Sequence, residues 1–239
     1  MHDHPIAAAA LRLLLDASLH VDVESALILE SATYSTLQAG PEHQAWLAQL
    51  RRREQRDTDD VVLMSRDGDE LHLTLNRPHV RNAFNAAMRE ALLDGFEIAA
   101  IDPSIALVLV DGAGPNFCSG GDLNEFGTLA DPASAHLLRV DRSVARAVHA
   151  ARDRTTFQMH GACVGAGVEL PAFAGHVVAS PDATFQLPEI GMGLVPGAGG
   201  TVSIPRRIGR ERFERLALSG EQINAPTALE WGLVDEIDD

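Results

Sequence analysis

The chain has 239 residues, 46% of them hydrophobic and 22% charged, a composition ordinary for a soluble globular protein with one or two domains. A formal charge of −15 argues against nucleic acid or an anionic membrane surface as a partner, since a phosphate backbone would be repelled over most of the molecule. No apolar run approaches the roughly 18 residues of a membrane span, the start MHDHPIAAAA lacks the basic region of a signal peptide, and Cys118 and Cys163 stand in unrelated contexts, so neither a disulfide framework nor a cysteine metal pair is expected; a cytoplasmic protein is.

Lysine is absent, so all 19 positive charges are arginines. Two clusters, RRREQR at 51–56 and RRIGRERFER at 206–215, are candidates either for solvated helix faces or for holding the phosphates of a polyanionic ligand.

In chain order, apolar residues at three- and four-residue spacing predict helices over 5–18 and 23–38. Gly40-Pro41 breaks the pattern before a third short helix over about 42–54, and the charged stretch RRREQRDTDD at 51–60 reads as a boundary between two modules, 1–55 and 56–239. Beyond it, VVLMSRDGDELHLTLN predicts a hairpin turning at Asp67-Gly68. A helix from Asn82 to about Ala100, the buried strand IALVLVDG at 105–112, the loop NFCSGGDL at 116–123, a helix over about 133–151 and the strand TTFQMHG at 155–161 follow. Another helix opens near Ala166, then come HVVAS, TFQLPE, PGAGGT and two short helices up to about Leu218. Strands alternating with helices, in two or three ββα-like units, predict an α/β fold.

The glycines exclude some chemistry. GMGLVP at 191–196 has proline where a dinucleotide fingerprint needs its third glycine, PGAGGT lacks the GK[ST] of a phosphate loop, and FCSGG does not fit the nucleophile elbow. What remains is glycine used for close backbone approach and exposed N–H groups, around Ser119-Gly120-Gly121 and around Gly165-Ala166-Gly167. Two loops each offering one N–H would make an oxyanion hole. Each glycine-rich region also carries a single acid among apolar residues, Glu169 in GACVGAGVEL and Glu189 in QLPEIGMGLVPGAGG.

LNRPHVRNAFN (75–85), NFCSGGDL, GACVGAGVEL, QLPEIGMGLVPGAGGT and LALSGEQINAPTALEWGLVDEI (216–237) stand in the order found in the enoyl-CoA hydratase/isomerase superfamily, the crotonases, which the chain therefore resembles. The resemblance implies a spiral of ββα units and an oxyanion hole formed by the amides of Ser119 and Ala166, with Gly120, Gly121 and Asp122 along the acyl thioester. It implies too that Glu169 and Glu189 face each other across the substrate double bond, one as base toward a water and the other as acid toward the α-carbon. Coenzyme A then belongs to the substrate, no separate cofactor or metal is called for, and homotrimers or hexamers are expected. Asp122 is also expected to cap a short helix after it, and Cys118 and Cys163 to be small buried hydrophobes.

In chain order the family places its helical tail after the GLVDEI-like strand, whereas residues 5–55 here look like that tail placed in front: a circular permutation is expected. The implied activity is enoyl-CoA hydration. An isomerase or another enolate-forming enzyme using one glutamate, and a catalytically silent scaffold, are the alternatives.

Overall fold

A computed structural model describes residues 4–52, 60–129 and 131–238. Three helices come first. In α1 (Pro5–Ser18) the proline sits where its missing N–H costs nothing, and the Glu42 carboxylate accepts from the amides of Ile6 and Ala7 at 2.8 and 2.9 Å. The start of α2 (Val23–Gln38) is capped by Asp22, which accepts from Ser25 N at 2.8 Å. The third helix, α3 (Pro41–Leu47), ends well before the expected residue 54, and the central part of the charged boundary, 53–59, lies outside the described residues.

The hairpin forms as β1 (Val62–Asp67) and β2 (Glu70–Leu75), with Gly68 at φ +59° in the turn. Helix α4 (Ala86–Ile101) starts later than Asn82. Asn82 is instead buried at φ +54°, its side chain accepting from Arg77 N and donating to the carbonyls of Ala113 and Asn116, while Asn85 caps the helix through Met88 N. Strand β3 (Leu107–Gly112) follows. The expected single helix over 133–151 is two, α5 (Pro132–Asp141) and α6 (Val144–Ala150), because Ser143 leaves helical geometry to cap α6 by accepting from Arg146 N. Then come β4 (Thr155–Met159), β5 (Ala162–Val164) and α7 (Ala166–Glu169), a single turn that Pro171 prevents from continuing. Strands β6 (His176–Ala179) and β7 (Thr184–Gln186), helices α8 (Gly200–Ile208) and α9 (Arg210–Ser219), β8 (Ile223–Asn224), α10 (Ala225–Trp231) and β9 (Glu236–Ile237) complete the order.

A six-stranded sheet runs β1-β2-β3-β4-β6-β9, parallel except for the β1–β2 hairpin, and a smaller sheet runs β5-β7-β8. The chain passes from β4 to β5, and from β6 to β7, by crossing from the large sheet to the small one. That alternation, with helices between, is an α/β spiral of ββα units, as the sequence suggests.

The N-terminal helices pack on this core. Ala7, Leu11 and Leu15 are fully buried and belong to the same apolar cluster as Ile204, Phe213 and Leu216 of α8 and α9. Ion pairs Arg12–Glu214 and Arg210–Asp16 fasten α1 to α9, and Arg206 donates to the carbonyls of Ser18 and Val21 at 2.9 and 3.0 Å, filling acceptors left open past the end of α1. The 206–215 cluster is therefore, in part, a clamp on the N-terminal segment. Since the two regions share one core, Leu11→Ala should cost about 2–5 kcal/mol and leave one cooperative transition, as read by denaturant unfolding followed by both circular dichroism and tryptophan fluorescence.

Candidate active site

A cavity of about 440 Å³ opens where α2, α5, α7 and the loop before α8 meet. Its wall includes Glu169, Glu189, Ala166, Gly121 and Asp122, together with Glu30 and Tyr34 from α2. The two sequence-designated glutamates thus lie on one cavity.

Glu169 ends the single-turn helix α7 and is 2% exposed. Its Oε2 accepts from Ala198 N at 2.7 Å and Gly200 N at 2.9 Å, and its Oε1 has no hydrogen bond among the described residues. Gly200 is required there, for a Cβ would sit 2.6 Å from Glu169 Cγ. Glu189 begins the short helical turn Glu189–Met192, and its Oε2 is buried with no hydrogen-bond partner among the described residues. Its Oε1 lies where a side chain on Gly165 would be, 2.5 Å from a Cβ, and Gly165 also has φ +50°. The strand-to-helix turn and the second glutamate thus depend on the same glycine.

Glu30 was not found from the sequence. It is 2% exposed, and its carboxylate accepts from Gly199 N at 2.7 Å, Thr201 N at 2.9 Å and Thr201 Oγ1 at 2.6 Å. The signal was available: Ala26, Leu27, Glu30, Ser31 and Leu37 fall on the buried face of α2, so an acid interrupts the stripe that faces the core. Tyr34 lies one turn on, its ring against Gly197 and under the Arg139 guanidinium at 4.6 Å.

Burial raises the pKa of all three acids. Glu30 is pushed up to about 8 by burial and by the Glu169 charge, against the pull of its Thr201 and Gly199 donors. Glu169 rises to about 7 by burial, held down by the Ala198 and Gly200 amides. Glu189, with burial and the Glu169 charge acting on it, is raised well above the ordinary carboxylate range. Glu189, whose buried Oε2 has no donor among the described residues, is suited to hold a proton, and Glu169, with two amide donors, to be an anion.

Among the expected amide donors, Ser119 is not one. Its N–H donates to Arg81 O at 2.9 Å, and neither Ser119 nor Gly120 is on the cavity wall. Gly120, at φ +87°, turns the chain, its carbonyl accepting from Phe84 N while Asp122 N donates to Phe84 O. The amide between them, that of Gly121, has no acceptor among the described residues, and Gly121 lines the cavity. Ala166 N, first in α7, is likewise without an acceptor. Cys118 pairs with Cys163 through Cys118 N to Ala162 O and Val164 N to Cys118 O, so the two donor-bearing loops are stitched together. Both cysteines are buried free thiols, their pKa raised by burial, and serve as packing.

No helix follows Asp122; residues 123–128 form turns. Asp122 accepts from Asn124 N at 3.0 Å and pairs with the buried Arg77 at 2.9 Å, which fixes the loop carrying Gly121. Losing one partner of such a pair costs about 3–5 kcal/mol, so positioning the loop is its evident work.

Residues 70–239 match the enoyl-CoA hydratase/isomerase family, and the chain belongs to that family. It is 38% identical over 177 residues to the 2,3-dehydroadipyl-CoA hydratase of Escherichia coli (strain K12), covering 74% of this chain and 68% of that one. It is 34% identical over 184 residues to the 1,2-epoxyphenylacetyl-CoA isomerase of the same organism, covering 75% and 70%. The crystal structure of an enoyl-CoA hydratase from Thermoplasma volcanium GSS1 superposes with a TM-score of 0.70 at 34% identity, covering 75% of this chain and 72% of that one.

The folded chain holds protons on Glu30 and Glu169 that the unfolded chain, with carboxyls at 4.5, gives up. The folded-state pKa values are raised, so this contribution is complete below pH 4.5 and is lost as pH climbs toward 8. Between pH 5 and 8 stability should decline by up to about 1.4 kcal/mol per pH unit for each retained proton. Urea midpoints across that range measure the slope, and Glu189→Gln, which removes one raised acid, should flatten it.

Proposed function

We propose that the chain is an enoyl-CoA hydratase, adding water across the 2,3 double bond of an acyl-CoA thioester. One observation carries the reading: two acids, Glu169 held by two amides and Glu189 with a buried, unpartnered Oε2, share a cavity with two unpartnered backbone amides.

In this reading the thioester oxygen lies at the amides of Gly121 and Ala166, whose N–H groups strengthen their hydrogen bonds as that oxygen becomes an enolate. Glu169 takes a proton from water through its unbonded Oε1 while the water oxygen bonds the β-carbon. The electron pair of the double bond moves through the α-carbon onto the thioester oxygen. Glu189 then delivers its proton to the α-carbon, restoring the carbonyl. An acid and a base in one dry site, separated in proton affinity by their hydrogen-bond donors, meet the need of both half-steps. The chemistry calls for no cofactor beyond the coenzyme A of the substrate. Two free buried thiols suit a reducing cytoplasm, and no helix among the described residues is long and apolar enough to cross a membrane. Self-association as trimers or hexamers is proposed with the family reading.

We further propose that residues 5–55 are the family's helical tail moved to the front. The family match starts at residue 70, and α2 nonetheless lines the cavity of the matched part, with α1 and α3 packed against α2.

The test is consumption of crotonyl-CoA. Glu169→Gln and Glu189→Gln should each lower kcat by about 10² to 10⁴. The relatives include an isomerase, and that alternative is read from the same variants: double-bond migration surviving the loss of one glutamate would replace hydration. No consumption by the unaltered protein would favour a silent scaffold. A rearranged chain carrying residues 1–52 behind residue 239 on a flexible connector should keep its fold and its kcat/KM within about tenfold, measured by circular dichroism and the same assay.

A further inference from the structure

Four successive residues, 198 to 201, divide their amides between two carboxylates. Ala198 N and Gly200 N point to Glu169 Oε2, at 2.7 and 2.9 Å, while Gly199 N and Thr201 N point to Glu30, at 2.7 and 2.9 Å. Alternate amides of this turn therefore face opposite ways, and neither set can reorient without turning the other. We propose that Glu30 is a positioning residue for the reaction: by holding the amides of Gly199 and Thr201 it keeps those of Ala198 and Gly200 aimed at Glu169, and so fixes the direction of the free Oε1.

Two further observations support this. Thr201 Oγ1 adds a third hydrogen bond at 2.6 Å, so Glu30 is tied more firmly than the group it serves. Glu30 also stands on α2, outside residues 70–239 that match the family, so the N-terminal segment reaches the reacting acid through one carboxylate rather than by mere coverage. The same segment meets the other acid's turn: His43 Nδ1 bonds Met192 O at 2.9 Å, and a Cβ on Gly193 would fall 2.6 Å from His43 N. Glu30 itself is assigned no contact with substrate; it acts through the backbone.

This inference rests on the hydratase reading for its kinetic arm and on geometry alone for its second arm. In the full chain, Glu30→Ala should lower kcat for crotonyl-CoA by about 10- to 100-fold, the scale of a misaimed catalytic group, with KM within about threefold. Glu30→Gln, which retains one acceptor oxygen, should recover part of the loss. In the amide arm, hydrogen exchange at Ala198 and Gly200 should speed by about tenfold in Glu30→Ala while Val110 in β3 stays protected. Those two amides bond Glu169 and not Glu30, so a purely packing role would not single them out. Thr201→Val is the milder variant should Glu30→Ala fail to fold, and a smaller change in the same direction is expected. Unchanged kcat with unchanged exchange at Ala198 and Gly200 overturns the proposal, as does a loss of activity confined to KM. If the unaltered protein consumes no enoyl thioester, the hydratase reading fails and the exchange measurement still decides the role of Glu30.

Discussion

Burying carboxyl groups without cations is the constraint from which the rest of the site follows. Glu30, Glu169 and Glu189 line one cavity, and none makes an ion pair among the described residues. A charge removed from water must be matched by hydrogen bonds or neutralised by a proton. Here backbone amides hold Glu169 at about 7, while Glu30, raised to about 8 in spite of its donors, and Glu189 with its unpartnered Oε2 fall back on protonation. Amides suit this better than arginine would. A guanidinium beside Glu169 would lower its pKa, whereas two N–H donors steady the carboxylate and leave it about 7.

Backbone donors, however, have to be brought close to side-chain acids, and that explains why acids sit in glycine-rich apolar sequence. At Gly200 and Gly165 any side chain would collide with Glu169 or Glu189. The apolar neighbours Val168, Leu187 and Ile190 are nearly or fully buried and keep water from competing for the same donors. Glycine, acid and apolar residue are thus three parts of one requirement. The same logic reaches the other wall, where the Arg77–Asp122 pair and the Cys118–Cys163 bridge hold the loop bearing Gly121 against the strand leading to Ala166.

How much of this was legible depended on how local the cause was. The α/β alternation, the hairpin at Gly68 and the helices α1 and α2 are legible because each is set by nearby residues. Helix ends depart from the sequence pattern where a polar side chain finds a distant partner: Asn82 bonds the carbonyls of Ala113 and Asn116, so it folds as a buried loop and not as a first helical turn. The resemblance points to the amide of Ser119, but the positive φ of Gly120 carries the chain past it, and the open amide belongs to Gly121. Glu30 is the clearest case. Its place on the buried face of α2 was readable, while its partners at 199 and 201 lie some 170 positions away, and only the tertiary fold joins them.

The same separation runs through every contact of the N-terminal segment with the core. The N-terminal segment is joined to the core by contacts that need proximity and not sequence continuity: apolar faces of α1 against α8 and α9, the Arg206 guanidinium on carbonyls beyond α1, and Glu30 at the opening of α8. None of these contacts joins residues that are neighbours in the sequence. What cannot be exchanged is the pairing at 198–201, because those amides have one set of directions and two acids to serve. A helical segment placed first thus completes a cavity whose other walls are formed much later in the sequence.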